Sequence, residues 1–88
     1  MANGLDGTRV RAQWAEIDRI NARMKDAGDS FLILKGIECD ILEKGGMDLP
    51  DDVLAEADWV VASVHYGQNQ PREQITERIL GAIENPYV

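Results

Sequence analysis

The chain has 88 residues, 44% of them hydrophobic and 28% charged, with 16 acids against 9 bases for a net charge of −7. That length suits one small domain or part of a larger one, and the composition is that of a globular chain rather than a disordered one. The acidic balance excludes a large phosphate-binding face on this stretch, because nucleic-acid affinity rests mainly on Lys and Arg.

The single cysteine, Cys39, excludes an internal disulfide framework and a Cys-rich zinc knuckle. There is no 18-residue apolar run, and the opening Met-Ala-Asn-Gly-Leu-Asp lacks the basic and apolar regions of a signal peptide. A reducing, cytoplasmic setting is the expectation.

Met1 to Leu5 reads as an extended entry. Asp6 is a candidate N-cap, with Thr8 in the first turn. From there Val10, Trp14, Ile17, Asn21 and Met24 recur at spacings of four and three, and Ile20 and Ala27 widen the stripe. This pattern predicts an amphipathic helix over about Gly7 to Asp26, ended by Gly28 and packed on a sheet.

Phe31 to about Ile41 predicts the first strand, buried on both faces because Phe31-Leu-Ile-Leu34 is continuously apolar. Lys35 is awkward there and has to reach a rim. Glu43-Lys-Gly-Gly46 reads as a turn, with Met47 to Leu49 pairing back and Pro50 opening a short helix over about Asp51 to Ala57. Trp59 to His65 predicts the second strand. The intervening 16 residues, Glu43 to Asp58, are enough for a parallel crossover. After the loop from Tyr66 to Gln70, Pro71 is placed at the first helical position, and Ile75, Ile79, Leu80 and Ile83 form the stripe of the last helix, ended by Asn85-Pro86. Tyr87-Val88 looks like the opening of a further strand. The order is α-β-(turn, short α)-β-α, an α/β segment. Two strands buried on both faces leave open edges, so the segment belongs to a larger barrel or sheet, or self-associates.

Glu38 and His65 close the two apolar runs 27 positions apart, near the repeat of a strand–crossover–strand unit. Side chains leaving the same ends of parallel neighbours, about 4.8 Å apart, can meet over one site, and in α/β folds that end is where sites are built. Glu38 suits a metal ligand, a bridging ligand or a general base; its plainer reading is a solvated rim carboxylate. His65, the only histidine, suits a metal ligand, or plainly a hydrogen-bonded core residue. Two ligands do not complete a site, since zinc takes at least three from protein. Asp40 can reach the side of Glu38 or cap the turn, and Cys39 alternates away into the core. Ser63 is given no base and orienting partner, so serine hydrolysis is set aside. Arg72, in the first turn of the last helix beside the loop after His65, can hold a substrate phosphate or stay solvated.

Leu34-Lys-Gly-Ile-Glu-Cys-Asp-Ile-Leu42, Trp59-Val-Val-Ala-Ser-Val-His65, Asn69-Gln-Pro-Arg-Glu73 and Ile83-Glu-Asn-Pro86 together resemble consecutive blocks of the polymerase-and-histidinol-phosphatase (PHP) domain, in particular the C-terminal PHP domain of bacterial family-X DNA polymerases. The resemblance covers essentially the whole chain as one central segment, residues 1–88. It implies a distorted seven-stranded β/α barrel with up to three divalent metals, manganese or zinc, at the C-terminal strand ends. It also implies metal-dependent phosphoester hydrolysis, in family-X polymerases the 3′–5′ exonuclease trimming of DNA ends in repair. Carried over block by block, Glu38 bridges metals and His65 is a ligand, the two catalytic positions of this stretch.

The blocks His-x-His and Asp-His expected upstream, and His-Pro and Asp-x-His expected downstream, are absent, Tyr66 stands where a small residue is common, and Gly7 stands where Pro is common. The segment alone is expected to hold metal poorly and to be inactive, with DNA contacted in the parent mainly through other domains and no membrane involved. The alternatives are a metal-free structural PHP module and a stand-alone small-molecule phosphatase related to histidinol phosphatase.

Overall fold

The computed structural model describes residues 6–88, so the extended entry expected for Met1 to Leu5 lies outside the described residues. Helix α1 spans Gly7–Asp26, as its periodicity predicts. Asp6 caps it, accepting from Arg9 N at 2.8 Å, and satisfies one of the donors that a helix start leaves bare. At the other end Gly28 takes φ +79°, while Gly28 N bonds Lys25 O and Asp29 N bonds Met24 O. This paired closure needs the left-handed residue that glycine supplies most cheaply.

Strands β1 (Gly36–Asp40) and β2 (Trp59–Ser63) pair in parallel, with Gly36 opposite Trp59, Glu38 opposite Val61 and Asp40 opposite Ser63. Both are shorter than expected. Residues 31–35 do not join the sheet, and Phe31, Leu32 and Leu34 are exposed. The reason is that no strand lies beside them among the described residues. The Asn21 side chain takes that role for Ile33, donating to its carbonyl and accepting from its N–H, each at 2.9 Å. Lys35 N and O bond Asp58, and Lys35 Nζ reaches Asp18 of α1 at 3.3 Å. His65 likewise falls two residues beyond β2.

The connection between the strands follows the sequence closely. Gly45 and Gly46 have φ of +90° and +82°, and Ile41 bridges Met47 in antiparallel fashion. Helix α2 is a single turn, Asp51–Leu54, shorter than the expected reach to Ala57. Helix α3 spans Arg72–Glu84, with Pro71 as its N-cap rather than its first helical residue. Tyr87 and Val88 form no strand.

The core lies on one face of the sheet. Val10 and Trp14 of α1 pack with Cys39, Leu49, Val53 and Leu54, and Ile37 and Val60 join them. On the other face Asp40 is buried, but Trp59 and Val61 are left 65% and 47% exposed, contrary to the expectation of strands buried on both sides. Helix α3 departs from its predicted stripe as well. Its buried residues are Arg78 and Ala82, while Ile79, Leu80 and Ile83 are exposed. The radius of gyration is 15.6 Å, against about 12 Å for a compact domain of this length. The α/β class and the parallel pairing are as expected, and the apolar surface is left unfinished.

Candidate metal-binding site

Alternation along β1 sends Glu38 and Asp40 to the face opposite the core, and the parallel register sets Ser63 across from Asp40. Ser63 Oγ donates to Glu38 Oε1 at 2.9 Å. His65, just past β2, turns back over the strand ends. Its Nδ1 lies 2.7 Å from Asp40 Oδ1 and its Nε2 3.2 Å from Glu38 Oε1. The side chains of Glu38 and His65 are about half exposed, at 52% and 48%, whereas that of Asp40 is 1% exposed. The two residues expected to meet do meet, and Asp40 reaches the same side.

The protons can be placed by valence. An ionised carboxylate only accepts, so Nδ1 carries the hydrogen that Asp40 receives. Nε2 then faces Glu38 Oε1. Two acceptors facing each other at 3.2 Å need a cation between them, a proton or a metal. Ligands roughly 2.1 Å from one shared cation stand about 3.0–3.4 Å apart, so the pair fits a metal as two ligands of one ion. Asp40 is on the far side of the ring and belongs to the outer layer. Among the described residues no group of three or more His, Cys, Asp and Glu is arranged to hold a metal ion. The donor set fits, but it is incomplete.

Ser63 needs correcting. Its Oγ is 3.4 Å from His65 Nε2, and His65 is oriented by Asp40, so the base and orienting partner denied to it from sequence are both present. The contact is long, and the hydroxyl hydrogen is committed to Glu38 at 2.9 Å.

Arg78 is the residue that sequence reasoning missed. It is 3% exposed and spends its guanidinium on neutral acceptors: Nε on Leu42 O, Nη1 on Gly67 O and Gln70 Oε1, Nη2 on Ile41 O and Tyr66 O. That is one acceptor for each of the five N–H groups of an arginine. The clamp ties the loop after β1 to the loop after β2. Gly67 permits it: φ is +66°, and a Cβ there would stand 3.2 Å from Arg78 Nη1 and 2.9 Å from Glu43 Cγ. The one available signal was Arg78 itself, a cation three residues after Ile75 and four before Ala82, on one face of the helix. Arg72, by contrast, is exposed at the start of α3. Its carbonyl accepts from Thr76 Oγ, and no contact among the described residues joins its side chain to Glu38 or His65.

Over all 88 residues the chain is 47% identical to the DNA polymerase/3′-5′ exonuclease PolX of Bacillus subtilis (strain 168), and it covers 15% of that protein. Over 60 residues, 64% of the chain, it is 45% identical to a probable phosphatase of Thermoanaerobacter sp. (strain X514), covering 24% of it. A probable phosphatase of Acetivibrio thermocellus is 41% identical over 59 residues, again 24% of its length. The chain therefore spans a quarter or less of each of these relatives. No family model matches it. No helix among the described residues is long and apolar enough to cross a membrane.

Proposed function

We propose that this chain, which belongs with the PHP-type segment of bacterial family-X DNA polymerases, forms the central part of a metal-dependent phosphoesterase barrel in a longer protein. The observation that carries the reading is the approach of Glu38 Oε1 to His65 Nε2 at 3.2 Å, at the C-terminal ends of parallel neighbours. Glu38 would serve as the bridging ligand and His65 as a terminal one. The remaining ligands, and the strands that cover Trp59 and Val61, come from outside these 88 residues. Manganese or zinc suits the nitrogen-and-carboxylate donors. When bound, the metal polarises the phosphoryl group and acidifies a water molecule.

The substrate in this reading is the 3′ end of DNA, trimmed in repair. DNA is gripped mainly by other domains, which accords with the net charge of −7 here. Arg72 is assigned to a substrate phosphate by its position alone. The kinship with probable phosphatases supports a second substrate class, small phosphate monoesters, at the same site. The contact from Ser63 to His65 supports a different mechanism, attack by the Ser63 hydroxyl.

Three variants in the full-length protein separate these readings. Glu38→Gln keeps the shape and removes the charge. It is expected to lose bound metal and to lower 3′-end trimming at least 100-fold while polymerisation survives, and His65→Ala should leave somewhat more residual activity. Ser63→Ala should retain most hydrolysis; its loss with metal content unchanged would favour the serine mechanism. Normal metal content and trimming in Glu38→Gln would remove the metal assignment altogether.

A further inference from the structure

We propose that Asp40 is the positioning residue of this site: its buried carboxylate holds the hydrogen of His65 on Nδ1 and thereby presents the Nε2 lone pair beside Glu38. The inference rests on the reading of His65 as a ligand, and it concerns what makes that histidine competent. A neutral imidazole has one lone pair, and a ligand must keep it on the side of the ion. Solvated imidazole favours the opposite tautomer, with hydrogen on Nε2. The 2.7 Å bond to Asp40 reverses that preference, because a carboxylate offers only acceptors.

Asp40 is suited to the task by where it stands. It is 1% exposed in the last position of β1, while the ring it holds is half exposed. The main chain on either side of the pair is fixed too. Asp40 O accepts from Asp48 N at 2.9 Å, which pins the strand end to the hairpin. Arg78 Nη2 donates to Ile41 O and to Tyr66 O, the residues that directly follow Asp40 and His65. One guanidinium nitrogen therefore holds the two backbone positions that set the distance between carboxylate and ring. A carboxylate behind a metal-bound histidine both orients the ring and raises its basicity as a ligand, and losing such a partner commonly weakens metal affinity by 10–100-fold.

Because His65 is the only histidine, its two ring nitrogens give unambiguous signals in the ¹⁵N-labelled chain. Long-range ¹H–¹⁵N spectra of the folded chain at neutral pH without metal should show a protonated Nδ1. Zinc, added alone, should then shift the Nε2 resonance and leave Nδ1 protonated. In Asp40→Ala no acceptor faces Nδ1, so hydrogen should return to Nε2 and zinc affinity should fall by about 10–100-fold. A wild-type ring with hydrogen on Nε2 and none on Nδ1 overturns the proposal, and needs no variant that folds. So does unchanged zinc affinity in Asp40→Ala. If millimolar zinc, the range in which two ligands alone should bind it, moves neither ring nitrogen although Nδ1 is protonated, the ligand reading of His65 fails while the role of Asp40 in setting the ring stands.

Discussion

The two strands are finished at one end and unfinished elsewhere. Past Asp40 and Ser63, Arg78 makes five hydrogen bonds from a nearly buried position, and Asp40 and His65 lock together at 2.7 Å. Before β1 and along the outward face, Phe31, Leu32 and Trp59 are 61–66% exposed, where a central strand would bury them. The difference has a physical source. Loop carbonyls and a guanidinium need only a few point partners, and the described residues supply one for each N–H of Arg78. An apolar sheet face needs a neighbouring layer of strands or helices, which the two strands and three helices of the described residues do not provide. The polar framework of the site is thus complete within the described residues, and the apolar closure around it is not.

The strongest way to break this contrast is to remove the clamp. Arg78→Ala should cost on the order of 3 kcal/mol or more, because several carbonyls lose charge-assisted bonds at once. Arg78→Lys keeps the charge but not the planar fork, so it should recover less than half of that. Urea denaturation reads both. A wild-type midpoint for Arg78→Ala would mean that the loops are held by something other than the guanidinium.

The opposite test is made on the bare face. Trp59→Thr and Leu32→Ser should each change monomer stability by no more than about 0.5 kcal/mol, since neither side chain is buried. Their effect should appear in association instead. Sedimentation velocity is expected to show the wild-type chain self-associating and the double variant shifted towards monomer. A wild-type chain that stays monomeric at high concentration would show that the exposed face needs no partner, and would weaken the barrel reading.

What was legible in the sequence divides along the same line. Helix α1 could be bounded at both ends because a cap, a stripe and a glycine agreed on one local structure. The meeting of Glu38 and His65 could be anticipated because strand alternation and a crossover length are geometric rules. The misreading of residues 31–35 came from the same rules: an apolar run suggests a strand, but a strand exists only when another lies beside it. Arg78 and Asp40 were harder. On a helix an arginine ordinarily reads as solvated, and five acceptors from separate loops converge on it only after folding. The bond from Asp40 to His65 likewise joins positions 25 apart.

The smallest expected effect concerns Cys39, which sits between Glu38 and Asp40 yet points to the closed side. It is 1% exposed, packs with Val10 and Trp14, and its Sγ accepts from Leu49 N at 3.3 Å. Burial pushes its thiol above the ordinary value, because the thiolate loses its hydration there. The protonated form is therefore favoured in the folded state. The stabilisation this gives is fully present below the ordinary thiol range, about 8.5, and is lost as pH rises through the raised folded value. Stability should slope downward above about pH 9 by at most the one-proton limit of about 1.4 kcal/mol per pH unit, and Cys39→Ala should remove that component. At pH 8 iodoacetamide should alkylate the native chain far more slowly than the urea-unfolded one. If the two rates match, the α1 side of the sheet opens as readily as the outer face, and the contrast between a closed and an unfinished side no longer describes this chain.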